Sequence, residues 1–181
     1  MHGISPRGEI SSTQNEMEPE LHPDVTLLAP LLGTWSGTGE GVYPTIQPFG
    51  YRETVVFGHA GKPALAYRQG TVHAGTGLPA HSEAGYLRGF GGDRIELVLA
   101  HPTGVAELAE GTVVATSDGL RLHLVSTDVV GTATAKEVVR LERRIEVAGD
   151  VLRYDLAMAA VGQDHQHHLA AELRREAPVV T

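Results

Sequence analysis

Apolar and polar residues alternate in short runs along most of this chain, and turn residues separate the runs. A period of two places successive side chains on opposite faces of a strand. The runs are Thr34–Tyr43, Tyr51–His59, Ala64–His73, His81–Phe90, Arg94–His101, Val105–Val114, Leu120–Thr127, Lys136–Val147, Val151–Ala160 and roughly His165–Arg174, which predicts ten strands. Between them lie Gly61-Lys-Pro63, Gly75 to Pro79, Gly91-Gly-Asp93, His101 to Gly104, Ser117-Asp-Gly119 and Gly149-Asp150, each able to supply a positive or a fixed φ. Connections this short join antiparallel neighbours, because a parallel pair needs a long crossover. The choice is then between a sandwich and an up-and-down barrel. A barrel removes the exposed sheet edges, so an all-β antiparallel up-and-down barrel is the expected fold. A barrel of eight to ten strands is about wide enough to enclose one small ligand.

Before the strands the pattern differs. Residues 1–23 are rich in Ser, Glu, Pro, Gly and Asn, bury little, and are expected to form a flexible extension to a single domain over 24–181. Asp24 is placed to cap a short helix over Val25–Leu32, with Pro30 limiting its regularity and Gly33 as its stop.

Strand faces indicate what would line a cavity. Leu152, Tyr154, Leu156 and Met158 share one face of their strand against Arg153 and Asp155, so Met158 points inward. Ile95, Leu97, Leu99 and His101 share another inner face. Leu120, Leu122 and Leu124 oppose Arg121 and His123, which puts His123 in solvent. In the last run, Leu169, Ala171 and Leu173 alternate against His168, Ala170 and Glu172, so strict alternation puts His168 on the polar face; the segment also fits a helix with Leu169 and Leu173 at i and i+4, and periodicity alone does not place His168 inside.

Composition narrows the partners. The 181 residues suit one domain, and 22 glycines fit a chain of turns and closely approaching strands. A formal net charge of −8 argues against nucleic acid or an anionic membrane surface as partner. There is no cysteine, which excludes disulfides, thiolate metal sites and thiol nucleophiles and fits a reducing cytosol. No apolar run reaches the about 20 residues of a membrane-spanning helix, and no secretory signal pattern opens the chain. A cytoplasmic location is expected.

The chemistry concentrates near the C-terminus, where His165, His167 and His168 follow a strand bearing Met158. A soft sulfur and neutral imidazoles near one cavity suit a metal or a haem, although a His-rich turn is more often simply solvated. At the other end, Leu32-Gly-Thr-Trp-Ser-Gly-Thr-Gly-Glu-Gly-Val-Tyr-Pro-Thr45 sets Trp35, Gly37, Gly39, Gly41 and Tyr43 on one face. The Trp can plug a barrel end, and the glycines clear space for a ligand or a bend.

This run resembles the nitrobindin family, with its Gly-x-Trp-x-Gly-x-Gly signature and Tyr-Pro-Thr. Agreement continues in order through Tyr51-Arg-Glu53, Gly61 to Tyr67, His81 to Arg88, His101-Pro-Thr-Gly104, Thr134-Ala-Lys-Glu137, Tyr154 to Ala160 and His168-Leu-Ala-Ala171, covering about residues 24–175. The resemblance implies a ten-stranded barrel shaped like lipocalins and fatty-acid-binding proteins, holding haem b near its mouth. His168 matches the axial iron ligand, Thr45 a haem-contacting position, Lys136 a basic group near a propionate, and His81 and Met158 cavity-lining positions. It further implies that a bulge or twist turns His168 inward. The implied activity is isomerisation of peroxynitrite to nitrate at ferric haem, with nitric oxide binding at ferrous haem; a homodimer is compatible with it. Two other readings stand beside this one: a haem-free carrier of a fatty acid or other apolar ligand, and a zinc site at His165, His167 and His168.

Overall fold

The computed structural model describes residues 19–177. Ten strands, β1 (Gly33–Tyr43), β2 (Ile46–His59), β3 (Ala64–His73), β4 (Pro79–Gly89), β5 (Arg94–His101), β6 (Val105–Ala115), β7 (Gly119–Gly131), β8 (Val138–Ala148), β9 (Val151–Ala160) and β10 (Gln166–Arg175), form one closed barrel. Each pairs antiparallel with its neighbours in sequence, and β1 pairs with β10 to close the ring. The expected barrel is therefore present, with no open edge.

Two strands run well beyond the alternation that announced them. β2 starts at Ile46 rather than Tyr51, because Pro48 sits where the β1–β2 register shifts and its missing N–H breaks no ladder bond. β7 continues to Gly131, past a shift opposite Leu108 and Ala109 that offsets the simple period. β8 begins at Val138, so Lys136 lies in the preceding connection instead of in a strand.

One end of the barrel is closed by a 3₁₀ helix, Pro23–Leu31. Val25, Leu28 and Leu31 recur every third residue, which in a 3₁₀ helix is a single stripe, and all three are buried against the core. The capping residue is His22, not Asp24. Pro23 takes the first helical position, so the cap moves one residue earlier, and His22 Nδ1 accepts the Asp24 N–H at 3.2 Å. Of the expected extension over 1–23, residues 1–18 lie outside the described residues. In the remainder, Leu21 packs on the core, and Pro19 and Glu20 lie against Gly61.

Trp35 is completely buried behind the helix. Its indole N–H donates to the Leu31 carbonyl at 2.7 Å, and the Arg175 guanidinium lies 4.1 Å from the ring centroid. Arg175 also donates to the Pro30 and Leu32 carbonyls, satisfying the helix's last acceptors. The connections at residues 44–45, 74–78, 102–104, 132–137 and 161–165 all lie at the opposite end, which stays open.

Candidate functional site

A cavity of about 330 Å³ occupies the open half of the barrel. Its apolar wall includes Phe49, Val138, Leu141, Leu156, Met158 and Leu169. Gly39 and Gly41 on β1 let the Tyr51 and Phe49 rings of the cavity wall lie against the strand, since a Cβ at either would fall within 2.4 Å of one of those rings. The face expected for Met158 is the observed one, and His101 likewise turns inward.

His168 lines the same cavity beside Leu169. Two successive residues share one side because the β10–β9 register shifts between His167 and Leu169: His167 pairs with Ala157 and Leu169 with Leu156, leaving His168 as the extra residue of a bulge. Alternation alone misplaced this side chain. The bulge also fixes the ring, whose Nδ1 lies 3.0 Å from the Val42 carbonyl. A carbonyl only accepts, so Nδ1 carries the proton and Nε2 keeps its lone pair. Burial lowers the imidazole's pKa, against the opposing Val42 bond, and favours this neutral form. Tyr43 supports the ring edge-on at 5.2 Å between centroids, its own hydroxyl held by the Ala160 N–H at 2.9 Å.

The other expected site residues divide. His81 and Met158 line the cavity with His168. Thr45 and Lys136 do not: both are exposed on open-end connections, in the β1–β2 turn and the β7–β8 loop. The three-histidine zinc set is not assembled. His167 is exposed on the outer face near Asp155, and His165 lies 3.7 Å from Glu142, because the bulge turns only His168 inward. Among the described residues, the group with metal-ligand spacing is His81, Glu83 and His101.

A buried polar cluster was not anticipated from the sequence. Glu53, Gln69, Glu83, Glu107 and Arg143 are all buried. Arg143 donates to Glu107 Oε1 and, at 3.2 Å, to Glu83 Oε2, while Tyr67 donates to Glu83 Oε1 at 2.6 Å. Burial alone would raise the Glu83 carboxyl, but Arg143 and its other donors hold it well below the usual range. Glu107 is lowered despite burial by His101 and Arg143. Glu53 behaves oppositely. It accepts from Gln69 at 2.9 Å and Tyr154 at 2.8 Å, and burial without a cation pushes it to about 7. A signal for the cluster exists in the sequence: Glu53, Glu107 and Arg143 each fall in phase with an apolar inner face, as in Leu141-x-Arg143-x-Ile145-x-Val147.

The chain matches the family model described as a THAP4-like, heme-binding beta-barrel domain over residues 24–175. It is 52% identical over 156 residues to a protein of Nocardia farcinica named peroxynitrite isomerase, covering 86% of this chain and 93% of that one. It is 51% identical over 160 residues to peroxynitrite isomerase 2 of Mycobacterium marinum, covering 88% and 99%. In three dimensions it is similar to the crystal structure of Rv2717c from M. tuberculosis, with a TM-score of 0.85 and 49% identity over 87% of this chain and all of that one.

Proposed function

This chain belongs to the family of THAP4-like, heme-binding beta-barrel domains, and from that premise we propose that it holds haem b at the barrel mouth through His168 and isomerises peroxynitrite to nitrate. The observation that carries the reading is the His168 ring, which lines the cavity with Nδ1 tied to the Val42 carbonyl and Nε2 left as a lone-pair donor. That is the arrangement an iron-ligating imidazole needs, its second nitrogen anchored so that the first is oriented and more basic. The cavity residues therefore fit the group. When bound, haem supplies the Lewis-acidic, redox-active iron that peroxynitrite isomerisation and nitric oxide binding require.

The protein's part is to hold and to exclude. His168 would hold the cofactor from the bulge of β10, and Leu141, Leu156, Met158 and Leu169, which line the same cavity, would exclude water from it. His81 completes the wall. Thr45 and Lys136 act from the rim, where Lys136 offers a cation to a propionate. No protein general base is assigned. The same pocket in the ferrous state takes nitric oxide. The protein works in the cytosol, a reading supported by its lack of cysteine. Among the described residues no helix is long and apolar enough to cross a membrane.

A carrier of fatty acids would use an interior Arg or Tyr to reach the carboxylate. Among the described residues the one Arg lining the cavity, Arg143, is already paired to Glu83 and Glu107, and the lining tyrosines are engaged as well, Tyr51 with Tyr154, Tyr154 with Glu53 and Tyr67 with Glu83. His168→Ala tests the proposal. Reconstituted with haem, it should lose the five-coordinate histidine spectrum and most peroxynitrite isomerisation, while His165→Ala and His167→Ala match the parent. A parent-like spectrum and rate in His168→Ala would assign the ligand elsewhere; failure of the parent itself to bind haem would overturn the cofactor reading.

A further inference from the structure

We propose that His81, Glu83 and His101 form a binding site for a divalent transition-metal cation on the polar wall of the cavity. His81 and Glu83 are two apart on β4 and so share its inner face, and His101 comes from neighbouring β5. His101 Nδ1 lies 3.3 Å from His81 Nε2 and 3.4 Å from Glu83 Oε2, and His81 Nε2 lies 3.8 Å from the same oxygen. A tetrahedral ion with bonds of about 2.0–2.2 Å sets its ligands about 3.3–3.6 Å apart. Three donor atoms thus already stand close to the face of such a tetrahedron, and the fourth position opens to the cavity.

Charge and unsatisfied atoms point the same way. Arg143 offsets one of the two carboxylates of Glu83 and Glu107, and among the described residues the second negative charge is faced by the imidazoles of His81 and His101 alone. Among the described residues, His101 Nε2 and Glu107 Oε2 are both buried without a hydrogen-bond partner, 3.6 Å apart, in side chains only 7% and 1% exposed. A metal on His101 Nδ1 places the ring proton on Nε2, directed at Glu107, which is the carboxylate–imidazole–metal relation that orients ligating histidines. Arg143 and Tyr67 already hold the Glu83 carboxylate from both oxygens, and Oε2 keeps a lone pair for the ion. Two imidazoles with one carboxylate select zinc, iron(II) or cobalt(II) over magnesium or calcium.

The inference does not rest on haem binding, and its test is made without haem. The full chain, stripped with a chelator, is titrated with Co²⁺ and followed by calorimetry and visible absorption. The expected result is one Co²⁺ per chain. His101→Gln and His81→Asn should each weaken it by more than the about 10- to 100-fold typical of second-sphere changes, while His168→Ala and the double variant His165→Ala, His167→Ala retain parent affinity. Thermal melts establish that each variant is folded. Should His101→Gln fail to fold, His81→Asn decides alone, because that side chain is 38% exposed and packs less of the core. Absence of stoichiometric Co²⁺, binding that survives both substitutions, or binding lost with His168→Ala would each overturn the proposal.

Discussion

The two ends of this barrel solve opposite problems with the same strands. At the closed end, Trp35, Leu28, Leu31 and Leu173 are at most 1% exposed, and the polar groups among them pair locally, indole to Leu31 carbonyl and Arg175 to the helix terminus. At the open end the inner face carries two carboxylates and a guanidinium in one ion-pair cluster, a third carboxylate without a cation, and histidines aimed at a cavity. Apolar filling stabilises through area removed from water and tolerates little change of shape. A buried ion cluster contributes little net stability but is costly to break, and it leaves titratable groups where a ligand can meet them. The closed end thus holds the ring of strands together so that the open end can keep groups no core would select.

Breaking each end should expose this difference through pH. Trp35→Ala leaves a large cavity, and Arg143→Met leaves two buried carboxylates without their cation; each should cost about 3–5 kcal/mol in denaturant unfolding at pH 7.5. Only the second deficit should shrink on acidification. In the parent, Glu83 and Glu107 have lowered folded pKa values, so their contribution is present above the ordinary carboxylate range and is lost as pH falls. In Arg143→Met they can instead bury as neutral acids at low pH. Deficits equally independent of pH would show that the cluster is not ionised as described.

Glu53→Gln sharpens the comparison within the open end. A carboxyl raised from 4.5 to about 7 binds its proton more tightly folded than unfolded, so parental stability declines as pH rises through that interval. The amide has no charge to bury and can donate to Gln69 Oε1, which lacks a partner. The variant should gain about 2–3 kcal/mol at pH 8 and almost nothing at pH 4.5. A gain that does not depend on pH would assign the effect to packing. The smallest effects belong to the barrel's outside. Arg153→Ala removes an exposed pair with Glu172 and should change stability by at most about 1 kcal/mol, with haem uptake unaltered. Met158→Trp, on the opposite face of the same strand, should be nearly as stable yet take up haem poorly. Equal uptake by the two would contradict the assignment of Met158 to the cavity.

The sequence by itself determined the barrel, because ten alternating runs separated by short turns admit antiparallel neighbours, and closure removes the edges. It also determined the inward faces of Met158 and His101 and the burial of Trp35, since period two operates strand by strand. What it could not determine from alternation was the side taken by His168; resemblance had to stand in for a bulge, because one inserted residue reverses every face beyond it. Only tertiary structure decided which neighbours meet inside. Glu83, Glu107 and Arg143 are each an isolated charge in phase with apolar residues, on strands β4, β6 and β8, and their pairing depends on the curvature that brings those strands across one lumen. The same closure decided that His81 and His101, 20 residues apart, stand 3.3 Å from each other, whereas His167 and His168, adjacent in the chain, face opposite sides of the wall. Proximity along a strand reverses direction at every residue, while proximity across a closed sheet is set by register and curvature, which no local pattern encodes.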